Sequence, residues 1–88
     1  RIKEKFSFKQ SSKDLLITSQ LRSALIFDKE IKSANYQIDT YKKKIFIYGI
    51  AATKDERKKV IKEAKEILDV KDVIASILLL EDLRIQKD

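Results

Sequence analysis

Residues 36–49 read Tyr36-Gln37-Ile38-Asp39-Thr40-Tyr41-Lys42-Lys43-Lys44-Ile45-Phe46-Ile47-Tyr48-Gly49, and this stretch decides the fold. Tyr36, Ile38 and Thr40 alternate onto one side of an extended chain, and Ile45 and Ile47 do the same beyond the lysines. Alternation on either side of a short loop, Lys42-Lys43-Lys44, predicts an antiparallel hairpin, since so short a connection permits no other pairing. Gly49, the chain's single glycine, is expected to end the second strand and to mark a bend or a close backbone approach.

Helical patterns flank the hairpin. Ser11 and Asp14 form a capping pair that starts a helix running to about Phe27, ahead of Asp28-Lys29-Glu30. Thr53 and Glu56 form a second capping box. It opens a helix with Val60, Ile61, Ala64, Ile67 and Leu68 on one face and Lys58, Lys59, Lys62, Glu63, Lys65 and Glu66 on the other. Pairs such as Asp55–Lys59 and Lys59–Glu63 add about a few tenths of a kcal/mol each. A last strand, about Val73 to Leu80, returns through this helix and therefore runs parallel to one of the first two. The predicted architecture is α+β: a two-layer sandwich in the order α-β-β-α-β, with two helices on one face of a three-stranded mixed sheet. Its expected core is Ile17, Leu21, Leu25, Ile38, Ile45, Ile47, Val60, Ile61, Ala64, Ile67, Leu68, Val73, Ile77 and Leu79.

Eighty-eight residues suit one domain. Residues 13–82 are read as that domain, 1–12 as an extension or linker from a preceding domain, and 83–88 as a polar tail. Ile2, Phe6 and Phe8 alternate with lysines in the extension, as in a short edge strand or the end of a preceding domain. A start at Arg1, without methionine or an apolar leader, reads as a piece of a longer precursor.

Composition narrows the function. The chain has 43% hydrophobic and 39% charged residues, which indicates a globular fold. It has no cysteine and no histidine, so disulfides, thiolate metal sites, the commonest metal ligand and the usual neutral-pH base are missing. Asp69 and Asp72, near Glu66, read as a helix end and turn. No catalytic residue, metal site or cofactor is expected. No apolar run approaches the roughly 18 residues of a membrane span. The net charge of +6 belongs to residues 1–44, with eleven Lys/Arg against five Asp/Glu; residues 45–88 hold nine of each. Such asymmetry points to an anionic partner, nucleic acid or membrane, or simply to a lysine-rich soluble domain.

Taken in order, Asp14-x-x-Ile17-x-x-x-Leu21-Arg22-Ser23-x-Leu25, Ser33-x-Asn35, Ile45-x-Ile47-x-Gly49, the helix from Glu56, and Val70-x-x-Val73 resemble the BON family. The likeness covers about residues 14–80. It is closest in character to the second BON domain of the family's two-domain periplasmic lipoproteins. The resemblance implies an α+β envelope module, periplasmic and associated with the outer membrane, that contacts phospholipid and serves membrane integrity or stress tolerance. Three positions depart from the family's habits. Lys42-Lys43-Lys44 stands where an Asn-Gly-like turn is common, Asp69 where a glycine often precedes the valine, and Leu16 where the lipoprotein relatives often carry an aromatic.

Two surfaces stand out. At about 100° per residue, Ile17, Leu21, Ala24 and Leu25 form the core stripe of the first helix. Leu15 and Ile26 point nearly opposite, beside Ser19 and Arg22, with Leu16 and Phe27 on a flank. An apolar patch edged by basic residues is how an interfacial membrane helix is built; the alternatives are that Leu15 and Leu16 pack on another domain, or that the helix-end residues fold back into the core. With the resemblance, Leu15, Leu16, Ser19, Arg22 and Ile26 become the expected site for anionic phospholipid. Three or four lysines at about 1 kcal/mol each, plus two partly inserted leucines, give an affinity on the order of micromolar. The lysine run 42–44 reads as a solvated hairpin tip or, alternatively, as part of that contact. The second surface is the outward sheet face, Phe46, Tyr48, Ile74 and Leu78. Sheets covered on one side only are not apolar on both, so a preceding domain such as a second BON copy, a homo-oligomer or the Phe6/Phe8 segment is expected to cover it. RNA binding is the rival function for a small basic α/β domain. No Gly-x-x-Gly clamp or RNP-like aromatic pattern supports it, and only four of twenty basic residues are arginine.

Overall fold

The computed structural model describes residues 11–85. The elements are α1 (Ser12–Phe27), a 3-10 turn (Ser33–Asn35), β1 (Tyr36–Tyr41), β2 (Lys44–Ala51), α2 (Lys54–Lys65), β3 (Asp72–Leu79) and a short α3 (Leu80–Ile85). The α-β-β-α-β order is as the patterning predicts, with α3 appended where alternation offered no helix signal. Strand β2 lies at the centre, antiparallel to β1 and parallel to β3. The expected Phe6/Phe8 strand falls outside the described residues.

Parity follows from burial. Ile45 and Ile47 are fully buried, and β3 sets Val73 beside Ile45 and Ile77 beside Gly49 on the same face. Against that face lie Ile17, Leu21 and Leu25 of α1, and Val60 and Ala64 of α2. The hydroxyls of Thr18 and Thr40 meet at 2.7 Å and satisfy one another where α1 crosses β1. Ile31, Tyr36 and Ala51 also enter the core, while Ile61, Ile67 and Val73 pack partly buried at its edge.

Leu68 is a correction, being 79% exposed rather than in the core. Helix α2 stops at Lys65. Backbone bonds from Ile67 N–H to the Ala64 carbonyl and from Val70 N–H to the Ile67 carbonyl tighten the following turn. The 3.6-residue phase that would have carried Leu68 inward from Ala64 is lost there. Asp69 then adopts a left-handed backbone, φ 71°. Lys59, too, pairs elsewhere than along its own helix, reaching Glu30 and Asp28 in the connection between α1 and β1.

Two further details differ from the alternation. Lys44 belongs to β2 and pairs with Tyr41, so the loop is only Lys42-Lys43, at φ 52° and 66°. Two consecutive positive values define the type I′ geometry that matches strand twist. The second strand also continues past Gly49 to Ala51. A Cβ at position 49 would lie 2.4 Å from the Asn35 carbonyl oxygen and 2.6 Å from Tyr36 Cδ1. Close approach is therefore the reason for the glycine.

These contacts predict opposite signs for two substitutions. Asp69→Gly should stabilise the domain by about 1 kcal/mol, because glycine adopts left-handed backbone without a Cβ penalty. Gly49→Ala should destabilise it by roughly 1–3 kcal/mol, since backbone and ring must move apart. Urea unfolding of both variants measures the two effects, and equal midpoints would refute the assignment.

Candidate functional site

Helix α1 carries apolar side chains on its outer surface as well as its inner one. Leu15 and Leu16 are 52% and 56% exposed, Ile26 and Phe27 67% and 83%, and Ser19, Arg22 and Ser23 lie between them, also exposed. All five residues of the expected site, Leu15, Leu16, Ser19, Arg22 and Ile26, thus reach solvent along one helix. Arg22 has no ion-pair partner among the described residues. It borders a cleft of about 280 Å³ with Leu25, Ile26, Ser33, Ala34 and Tyr36. A charged fork beside an apolar wall suits an amphiphile better than a plain ion. Helix α2 turns Lys54, Asp55, Lys58, Lys62 and Lys65 outward instead, so the two helices offer solvent opposite chemistry.

The outward sheet face is also accessible. Tyr48, Ile74 and Leu78 are exposed, with Ile50 beside them, and Phe46 is half-buried. The N-terminal segment offered as one cover for this face lies outside the described residues.

What holds α1 in place is a buried carboxylate, Asp14, whose spacing in the sequence signals only a capping residue. Ser11 Oγ accepts the Asp14 N–H at 3.1 Å, the expected cap. The Asp14 carboxylate itself accepts the N–H groups of Lys42 and Lys43, each at 2.9 Å. Glu56 repeats the arrangement on α2. Thr53 Oγ1 accepts the Glu56 N–H, while the Glu56 carboxylate accepts Ala52 N–H, Lys32 N–H and the Tyr36 hydroxyl at 2.9–3.1 Å. A chemically active acid wants an open cleft and a raised pKa; these two are buried and fully bonded. Burial pushes the Asp14 carboxyl up, but the Lys43, Lys42 and Ser11 hydrogen bonds outweigh it and hold the group below 3.8. For Glu56, burial is likewise outweighed by Ala52, Lys32 and Tyr36, leaving the carboxyl below 4.5. Burial, followed by the Glu56 hydrogen bond and charge, drives the Tyr36 hydroxyl well above its ordinary range. No group of three or more potential metal-ligating side chains occurs among the described residues.

Both depressed carboxyls link stability to pH. In the acid range the unfolded chain binds more protons than the folded one, so their stabilisation is complete above the unfolded values. It is lost as pH falls through 4.5 and 3.8 towards the lower folded values. Thermal melts should therefore be level from neutral pH to about pH 5 and fall steeply below it. Asp14→Asn, which turns an amide N–H towards a backbone N–H, should cost about 1–3 kcal/mol at neutral pH and flatten the acid limb. A variant as stable as wild type at pH 7 would disprove the tie.

With this geometry established, comparison with known proteins is informative. The chain is 31% identical over 77 residues to the "Uncharacterized protein in gshII 5'region" of Anaplasma centrale; the match covers 88% of this chain and 51% of that protein. The chain thus spans about half the length of that relative. The family model of the BON domain matches residues 13–81. BON domains are in general non-catalytic binding modules associated with phospholipid and with the cell envelope. The match takes in α1 from Lys13, the hairpin, α2 and the last strand, and the chain belongs to the BON domain family.

Proposed function

We propose that this domain binds anionic phospholipid bilayers through the outer face of α1, as a non-enzymatic module of the bacterial envelope. In this reading it works in the periplasm, at the outer membrane, and supports membrane integrity or stress tolerance. The observation that carries it is the exposed apolar run Leu15, Leu16 and Ile26 around Arg22, which has no ion-pair partner among the described residues. Electrostatic attraction to the basic N-terminal half draws the domain in, and apolar insertion holds it. Family membership supplies the preference for lipid over RNA.

Co-sedimentation with phosphatidylglycerol-containing and neutral vesicles tests the reading. Wild type should bind the anionic vesicles, less strongly as salt rises but without complete loss. Leu16→Glu, at an exposed site, should leave the melting temperature near wild type and abolish attachment. Wild type that ignores anionic vesicles, or Leu16→Glu that binds equally, would show that α1 is not the lipid site. Tight binding to single-stranded RNA in place of vesicles would establish the rival function.

A second reading, protein docking through the outer sheet face, is favoured by the exposure of Tyr48, Ile74 and Leu78. A second copy or a neighbouring BON domain would cover those side chains. In analytical ultracentrifugation the chain should self-associate with rising concentration, and Leu78→Lys should prevent it. A monomer at every concentration would dismiss the second copy.

A further inference from the structure

We infer that the domain meets the bilayer end-on, with α1 tilted N-terminus down, and that Leu68 and the lysines of the hairpin end are part of the contact. This rests on the reading of α1 as the bilayer site. Three segments distant in sequence converge at that end. The start of α1 is joined to the hairpin tip by Asp14, whose carboxylate accepts Lys42 N–H and Lys43 N–H. The loop from α2 to β3 is joined to the same tip by Lys71 N–H, which donates to the Lys43 carbonyl at 2.8 Å.

The side chains there have the composition of an interfacial surface. Leu16 and Leu68 face each other across a cleft of about 80 Å³ shared with Lys13 and Gln20, and both leucines are mostly exposed. Lys42, Lys43 and Lys71 line an adjoining cleft of about 330 Å³ with Tyr41. Lys13 and Lys44 extend the rim. Against these five lysines stand Asp69 and Asp72, while Asp14 is consumed by its internal hydrogen bonds. None of the five ammonium groups is in an ion pair among the described residues; Lys42 lies over the Tyr41 ring. The complementary partner of paired leucines within a lysine rim is an anionic bilayer. Ile26 lies ten residues beyond Leu16, about 15 Å along the helix, so a tilted helix holds it nearer the bilayer surface.

The chain's lack of cysteine permits a depth measurement. Leu16→Cys, Leu68→Cys, Ile26→Cys and Tyr48→Cys would each carry an environment-sensitive fluorophore and be mixed with phosphatidylglycerol/phosphatidylcholine vesicles. The largest blue shifts are expected at 16 and 68, a smaller one at 26 and none at 48. The double substitution Lys42→Asn with Lys43→Gly suits the left-handed turn and removes two charges. It should preserve folding and weaken binding more than tenfold at low salt, at about fivefold per lysine. A shift at 26 equal to that at 16, with 68 unchanged, would mean a flat-lying helix: this inference falls and the α1 site stands. No shift at 16, 26 or 68 would overturn both, as would a shift confined to 48.

Discussion

The Asp14 carboxylate is the constraint from which the arrangement of this domain follows. A buried charge is tolerable only when its lone pairs are met, and Asp14 meets them with two backbone N–H groups from the hairpin turn. That turn is left-handed at both residues, a conformation lysine disfavours, so the acid and the turn stabilise one another. Glu56 does the equivalent at the opposite end of the sheet, joining the start of α2 to Lys32 and Tyr36. Each helix is thus fastened at its N-terminus to a loop far away in sequence, and the two fastenings lie at opposite ends of the strands. The helices are located before their apolar faces are considered.

With the scaffold located this way, the helix surfaces diverge in chemistry. Apart from the buried Glu56, helix α2 follows the ordinary amphipathic rule, with Val60 and Ala64 inward and lysines outward. Helix α1 keeps Ile17, Leu21 and Leu25 for the core and yet shows Leu15, Leu16, Ile26 and Phe27 to solvent. Those outer side chains lie outside the core cluster, which supports the proposed binding surface.

Much of this was legible in the residues. The alternation at Tyr36-Ile38-Thr40 and Ile45-Ile47, and the two capping pairs, locate the hairpin and the helix starts, because period and cap chemistry are local. What stayed hidden depended on tertiary geometry. Leu68 fits the helical spacing but lies beyond the point where α2 unwinds, and only the backbone shows that. Asp14 and Glu56 read as caps, while their second role requires knowing which loop folds over them. The departures from family habit at Lys42-Lys43 and Asp69 mark the very positions with positive φ. That coincidence connects a glycine preference to a backbone demand, and the sequence alone showed only the departure. The solvent exposure of Leu15, Leu16, Ser19, Arg22 and Ile26 agrees with the helical wheel, whereas their role rests on family membership and on surface chemistry.

Strand β3 buries the smallest share of its residues among the three strands. Of its eight residues only Ile77 and Leu79 are deeply buried, and it forms an outer seam closed late in the chain, after the α2 crossover. Its pairing meets the N–H and C=O groups along the flank of β2 that β1 leaves open. The crossover through α2 therefore does more than return the chain: it brings β3 back to close the second edge of β2, so the central strand is paired along both sides.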